Sequence, residues 1–267
     1  IVKNFNMSSG LGMPFDDALW TDGPRPGGFY QVRPGVKAKS AEGPSSRTMQ
    51  PIVTGTSVLA IKCTDGIVMA ADTLGSYGSL ARFRDIERIC SVGDRTLVGA
   101  SGDIADFHAI KHMLGDIETN NAEWNDGHPI EPRSVHTYMT RVLYGRRSKM
   151  NPLWNTLVVG GFSPDGEGYL GYVDKIGVAY TDAAIATGYG SYIALPIMRD
   201  AVDSNADLTV AEAKLVLERC LKVMYYRDAR SLNRYQIATA TAEGTSISEP
   251  VSAETNWDIA DFVQGYE

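Results

Sequence analysis

The chain of 267 residues carries 25 Lys and Arg against 32 Asp and Glu, a net charge of −7, with 43% hydrophobic and 21% charged residues. That balance suits a globular protein of one large domain or two small ones, and it argues against a dedicated nucleic-acid surface. No run approaches the roughly 18 uninterrupted apolar residues of a membrane-spanning helix, so none is expected.

Residues 1 to about 50 intersperse Pro14, Pro24, Pro26, Pro34 and Pro44 with seven glycines and show no sustained helical or strand period. Such a segment buries too little to offset its own ordering entropy. It reads as a disordered tail, or as a removable leader or wrapping arm anchored by Phe15, Trp20, Phe29 and Tyr30. Its first residues, Ile1-Val2-Lys3-Asn4-Phe5-Asn6, lack the apolar stretch of a signal peptide and an initiator Met, so the sequence is expected to start downstream of the true beginning.

The pattern changes at Val53. Val53–Ile61 and Gly66–Asp72 are almost unbroken apolar runs with β-branched residues, which predicts two strands covered on both faces, joined by a turn at Cys63-Thr64-Asp65-Gly66. Gly75–Ser79 reads as a turn-rich loop, and Ile86–Cys90 and Thr96–Ala100 as strands joined through Gly93-Asp94. Asp103 is placed to cap a helix with the stripe Ile104, Phe107, Ile110, Leu114 and Ile117. A second helix follows Pro132, with Val135, Tyr138, Met139, Val142 and Leu143 inward. Strands return at Thr156–Gly160, Gly168–Val173 and Val178–Tyr180, and Gly188-Tyr189-Gly190 opens a third helix bent by Pro196. Thr209-Val210-Ala211-Glu212 is a capping box for a fourth, with Ala213, Leu217, Cys220, Leu221 and Met224 inward. Tyr235–Thr241 and Thr245–Ser248 form a closing hairpin around Glu243-Gly244. Ile259, Phe262, Val263 and Tyr266 end the chain at helical spacing. Strands, two helices, strands, two helices, strands, with the sheets covered on both faces, predict an α+β fold: a four-layer αββα sandwich, one domain with no linker after residue 51.

Several chemical signals are weak. Cys63, Cys90 and Cys220 are odd in number and scattered, which fits buried free thiols in a reducing compartment, cytoplasm or nucleus, rather than a metal knuckle or a disulfide framework. His108 and His112 stand four apart, but Ala109 occupies the place where a zinc-peptidase helix needs its Glu, so no metal site is expected. Arg146-Arg147-Ser148-Lys149 suits the C-terminal dipole of the second helix. Gly188-Tyr189-Gly190 is too short for a dinucleotide fingerprint, and no cofactor is expected.

The sharper signal is Gly55-Thr56 ahead of a strand. A threonine at a chain start carries its own base, because its α-amine (unperturbed pKa about 7.7–8.0) can take the hydroxyl proton. Thr56 is internal, and its amide nitrogen is no base unless the Gly55–Thr56 bond is cut.

Gly55-Thr56, Gly66–Asp72 and Arg227-Asp228-Ala229 with Ser231 resemble the β-type subunits of the 20S proteasome, which are N-terminal-nucleophile hydrolases with the αββα fold. The resemblance covers Gln50–Glu267. It narrows, through Leu74–Leu80, Arg146–Asn155, Tyr225–Arg230 and Glu254–Asp258, to the branch formed by the seventh, non-catalytic β-type subunits. It implies that Thr56 stands at the nucleophile position, Asp72 and Asp228 at the two acidic positions, and Ser231 at the serine near the threonine amine. The family's lysine falls at Arg88 and its loop serine at Tyr189. An arginine stays charged and cannot join a proton relay. Self-cleavage at Gly55 is therefore not expected, and the implied function is structural: one place in each inner ring, serving ubiquitin-dependent degradation by assembly. The resemblance further implies a trim between Arg47 and Thr48, residues 1–47 as propeptide, Thr48–Gly55 as a stub on a domain spanning 48–267, and a tail over 250–267. Implied partners are the other α and β subunits of the twenty-eight-subunit particle and assembly chaperones. Arg146, Arg147, Trp154 and the Ile259/Phe262/Val263/Tyr266 stripe are the interface candidates. The rival readings are an active threonine endopeptidase in which Arg88 replaces the lysine, and a free-standing amidohydrolase of the same class.

Overall fold

The computed structural model describes residues 50–124, 127–163 and 165–258. Arg47, Thr48 and the stripe Ile259, Phe262, Val263 and Tyr266 lie outside the described residues, as does the leader over 1–47. In chain order the elements are β1 (Val53–Gly55), β2 (Val58–Lys62), β3 (Gly66–Asp72), β4 (Gly75–Tyr77), β5 (Leu80–Phe83), β6 (Ile89–Val92), β7 (Thr96–Asp103), α1 (Ile104–Trp124) and α2 (Pro132–Ser148). They continue as β8 (Asn155–Phe162), β9 (Gly168–Val173), β10 (Ala179–Thr181), β11 (Ala184–Ala186), α3 (Gly190–Ser204), α4 (Val210–Arg227), β12 (Tyr235–Thr241) and β13 (Gly244–Ile247).

Two sheets result. The first runs β10-β9-β8-β7-β1-β4-β5, with β6 also paired to β7; the second runs β11-β2-β3-β12-β13. Strand side chains alternate, so each unbroken apolar run serves two cores at once. Leu59, Ile61, Val68 and Ala70 face outward onto Met198, Leu217 and Met224 of α3 and α4. Val58, Ala60, Ile67, Met69 and Ala71 face inward and meet Leu97, Val158 and Leu170 of the first sheet. That sheet's other face, with Val98, Leu157 and Val159, packs on Phe107, Ile110, Met139 and Leu143 of α1 and α2. The architecture is the four-layer αββα sandwich. Gly99 lets the sheets close up, since a Cβ there would lie 2.6 Å from Met69 Sδ and 2.8 Å from Val58 Cγ1.

Helix starts follow the capping chemistry. Asp103 Oδ1 accepts from the amides of Ala105 (2.9 Å) and Asp106 (3.1 Å), while its Oδ2 accepts from Ile52 N (2.8 Å) and ties the start of the described chain to α1. The box at α4 is complete: Thr209 N donates to Glu212 Oε2 (3.0 Å) and Glu212 N to Thr209 Oγ1 (3.4 Å). The Thr209 amide and hydroxyl, both donating to Glu212 Oε2, hold the Glu212 carboxyl below its usual pKa.

The structure corrects several expectations. Val53–Ile61 is two strands in different sheets, broken at Thr56-Ser57. Gly75–Ser79 is not a loop but β4 and the turn into β5, because Ser76 and Tyr77 pair with Thr54 and Val53. The strand expected over Ile86–Cys90 lies three residues later, and β11 was not expected. Tyr138 is exposed; His136 takes the inward place on α2, its ring held between Tyr172 O (2.9 Å) and the Tyr169 hydroxyl (2.8 Å). Cys63 and Cys220 are buried as expected, whereas Cys90 is half-buried. Met69→Ala should lower the unfolding free energy by about 2–5 kcal/mol in urea denaturation, through the cavity left between the sheets. Leu215→Ala, at an exposed position of α4, should change it by less than about 0.5 kcal/mol.

Candidate functional site

The site lies where the chain changes sheets. β1 is threaded between β7 and β4, pairing Thr54 with Asp103 and Gly55 with Gly102 on one side, and Val53 with Tyr77 and Thr54 with Ser76 on the other. Two residues later β2 belongs to the second sheet. β1 and β6 occupy the same edge of β7 one after the other, and Arg88 fills the gap between them, its carbonyl accepting from Ala100 N (3.0 Å). From there the Arg88 side chain runs under the crossing.

The guanidinium is 1% exposed and meets carbonyls from both flanks. Nη1 donates to Asp72 Oδ1 and, at 3.4 Å, to Asp72 O; Nη2 donates to Thr56 O, to Ser57 O (3.1 Å) and to Ala100 O (3.1 Å). Nε has no hydrogen-bond partner among the described residues, because it lies against Gly55. A Cβ at residue 55 would come within 2.4 Å of that nitrogen. The glycine is thus the surface over which the arginine passes.

Asp72 closes β3 and turns its second oxygen to Leu232 N (2.9 Å). Burial pushes its carboxyl up to about 6, while Arg88 and the Leu232 amide pull the other way. Asp228, the C-cap of α4, accepts from Thr56 Oγ1 at 2.5 Å and from Arg230 N at 2.9 Å. Ser231 Oγ turns back on its own loop, to Asp228 O (2.8 Å) and Met224 O (3.0 Å). Tyr189 precedes α3 with its ring 59% exposed and edge-on to Tyr192, away from this network. The structure therefore joins Thr56, Asp72, Arg88 and Asp228 directly, brings Ser231 alongside through Asp228, and leaves Tyr189 out.

Chemically the arrangement fixes the Thr56 hydroxyl on one side and its carbonyl on the other. Thr56 Oγ1 donates to a carboxylate, its nitrogen is a peptide amide continuous with β1, and its carbonyl is clamped by Arg88. A guanidinium offers donors only, so it cannot accept the hydroxyl proton. The groove between β4 and β7, which an extended peptide could otherwise enter by strand pairing, is filled by Val53–Gly55 itself. Sequence reasoning missed Ser57, whose Oγ accepts from Gly190 N (2.8 Å) and fastens the crossing to α3. Its only signal was its place beside Thr56.

Elsewhere, Arg146 is tied by Nε to Asn151 O (2.8 Å), Arg147 lies over the Tyr144 ring, and Lys175 Nζ sits 3.7 Å from the Trp154 ring centroid. His108 and His112 are exposed on α1, and among the described residues no cluster of three His, Cys, Asp or Glu side chains could hold a metal ion. Burial pushes the Cys63, Cys90 and Cys220 thiols up to about 12, 11 and 12, far from a reactive thiolate.

Residues 52–240 match the family described as "Proteasome subunit". The chain is 52% identical over 225 residues to proteasome subunit beta type-4 of Xenopus laevis, covering 84% of this chain and 93% of that protein. It is 46% identical over 228 residues to proteasome subunit beta type-4 of Arabidopsis thaliana, covering 85% and 92%. It is 42% identical over 238 residues to proteasome subunit beta type-7 of Saccharomyces cerevisiae, covering 86% and 90%.

Removing one member of the buried pair should be costly. Arg88→Met strands the Asp72 carboxylate and should lower the unfolding free energy by about 3–5 kcal/mol. Adding Asp72→Asn, which still accepts from Leu232 N, should recover about 0.5–3 kcal/mol of that loss in a double-mutant cycle.

Proposed function

The chain belongs to the proteasome subunit family, and from that premise we propose that it is a non-catalytic β-type subunit that builds the inner ring of the 20S core particle. The observation that carries this reading is Arg88: the guanidinium beneath the Thr56 and Ser57 carbonyls offers donors only, so no proton relay for cutting at Gly55 can run through it. Forfeiting general-base assistance alone costs about 10²–10⁴ in rate. Without a free amine the threonine lacks the base it would carry itself, and the acceptor left beside its hydroxyl is the Asp228 carboxylate.

The role is architectural. The subunit encloses the degradation chamber beside neighbours of the same fold, with other α and β subunits as partners and assembly chaperones acting before the ring closes. Its contribution to ubiquitin-dependent degradation comes through that assembly, in the cytoplasm and nucleus. Residues 1–47 act as a propeptide removed by an active neighbour at Arg47–Thr48, leaving Thr48–Gly55 attached. In support, Val53–Gly55 already serves as a strand of the sheet. The described part of the tail is held to the domain through its backbone and through Trp257. Asn233 bonds both Ala253 O (2.8 Å) and Ala253 N (3.0 Å), and Trp257 packs edge-on to Tyr225 and Tyr226. The stripe Ile259, Phe262, Val263 and Tyr266, outside the described residues, serves in this reading as a clasp between rings.

Intact-mass measurement and N-terminal sequencing of the chain from purified particles should give a start upstream of Thr56, near Thr48, with no adduct from a threonine-directed epoxyketone. A start at Thr56 with a covalent adduct would support the endopeptidase reading instead. Arg88→Lys by itself should yield no turnover of a fluorogenic peptide, because the Gly55–Thr56 bond stays intact and Tyr189 stays in place of the loop serine; measurable turnover would count against the account.

A further inference from the structure

Beyond the crossing, one concave surface combines features that the enclosure role does not use. At the C-terminal end of α2, a cleft of about 320 Å³ is lined by Arg147, Met150, Pro152, Trp154, Lys175 and Ile176. Its walls are mostly apolar and open: Met150 is 68% exposed and Ile176 46%. Large exposed apolar surface rimmed by charge marks an interaction site more often than free solvent.

The charge in the cleft runs against the rest of the chain. The protein as a whole carries −7, yet the charged side chains lining this cleft are both cations. The ion pairs among the described residues are Arg88–Asp72, Lys111–Glu87, Arg199–Asp182 and Arg234–Asp85, so neither Arg147 nor Lys175 has a carboxylate partner there. The nearest acid in sequence, Asp174, turns its Oδ1 to the turn amides of Ile176 (3.0 Å) and Val178 (2.9 Å) and makes no ion pair with Lys175 among the described residues. Both cations rest on aromatic faces, Lys175 on Trp154 and Arg147 on Tyr144, which holds them at the rim. The Trp154 Nε1–H is buried without an acceptor among the described residues.

We propose that this cleft is the docking site for a segment of a neighbouring subunit that presents a carboxylate beside a large aliphatic or aromatic side chain. The inference rests on the assembly reading above and adds the chemistry of one contact to it. The carboxylate bridges Arg147 and Lys175, and the apolar side chain lies between Met150, Pro152 and Ile176. A small anion would leave the apolar walls uncovered, and a purely apolar segment would desolvate two cations without compensation.

The test replaces Met150 with the photo-cross-linker p-benzoyl-phenylalanine in the full chain, followed by irradiation of purified particles and mass spectrometry. The expected product joins residue 150 to one segment of a different subunit with an Asp or Glu next to an apolar residue. A cross-link to a second copy of this chain, to a segment lacking a carboxylate, or none from particles that contain the chain overturns the proposal. A second measurement avoids residue 150. Arg147→Glu/Lys175→Glu should reduce retention of the chain in washed particles about tenfold against Arg133→Glu, a charge reversal elsewhere on α2; equal retention contradicts the proposal. Absence of the unmodified chain from particles sinks the assembly reading and this inference with it, and is seen before any irradiation.

Discussion

A single buried guanidinium holds the crossing between the two sheets together. Arg88 reaches the end of β3 through Asp72, the switch residues through the carbonyls of Thr56 and Ser57, and β7 through Ala100 O. Taking a cation out of water costs several kcal/mol unless its donors are matched, and here four of the five N–H bonds have the geometry to be matched. The unmatched one, on Nε, marks the cost of passing under Gly55. A buried ion pair is weak evidence for net stability. What it supplies here is placement: the chain can leave the first sheet after Gly55 only along the path those carbonyls define.

That placement decides the chemistry. A catalytic threonine of this type needs a nitrogen lone pair next to its own hydroxyl, and an internal residue has none. In this chain the preceding residues are not spare. Val53–Gly55 bridges β7 and β4, so cutting behind Gly55 would take a central strand out of the first sheet. In the uncut chain one feature, the continuity of β1 into Thr56, both completes the first sheet and leaves the threonine without a free amine. The Thr56–Asp228 hydrogen bond fixes the direction of the hydroxyl and ties the crossing to the end of α4.

Much of the sandwich was legible because its apolar runs are unusual. Val58–Ile61 and Gly66–Ala71 have no polar face, which demands cover on both sides, and that demand already implies stacked sheets with helices outside. The capping residues Asp103 and Thr209 announce their helices by side-chain chemistry alone. The break at Thr56-Ser57 was not legible, since Val-Thr-Gly-Thr-Ser-Val is acceptable strand sequence on either side of a switch, and only tertiary pairing separates β1 from β2. β4 looked like a loop because its Gly and Ser are poor strand formers. They are there because β1 and Ile86 lie close, a Cβ at Gly75 falling 2.3 Å from Ile86 Cδ1. Tyr138 was placed inward by counting, while the buried position belonged to His136, whose two ring nitrogens both find partners. For the site, spacing alone could not have joined residues 56, 72, 88 and 228; family resemblance supplied the positions, and the structure supplied Ser57 and the arginine's path.

The central claim is that Arg88, by holding the Thr56 and Ser57 carbonyls, secures the crossing that keeps Val53–Gly55 paired in the first sheet. Amide hydrogen exchange across residues 52–58 reads this directly, in the intact chain and in Arg88→Ala. The account predicts protection of the Thr54 and Gly55 amides comparable with the β3 amides in the unaltered protein, and its selective loss in the variant. Fast exchange at those amides with Arg88 present, as in an exposed terminus, would contradict it.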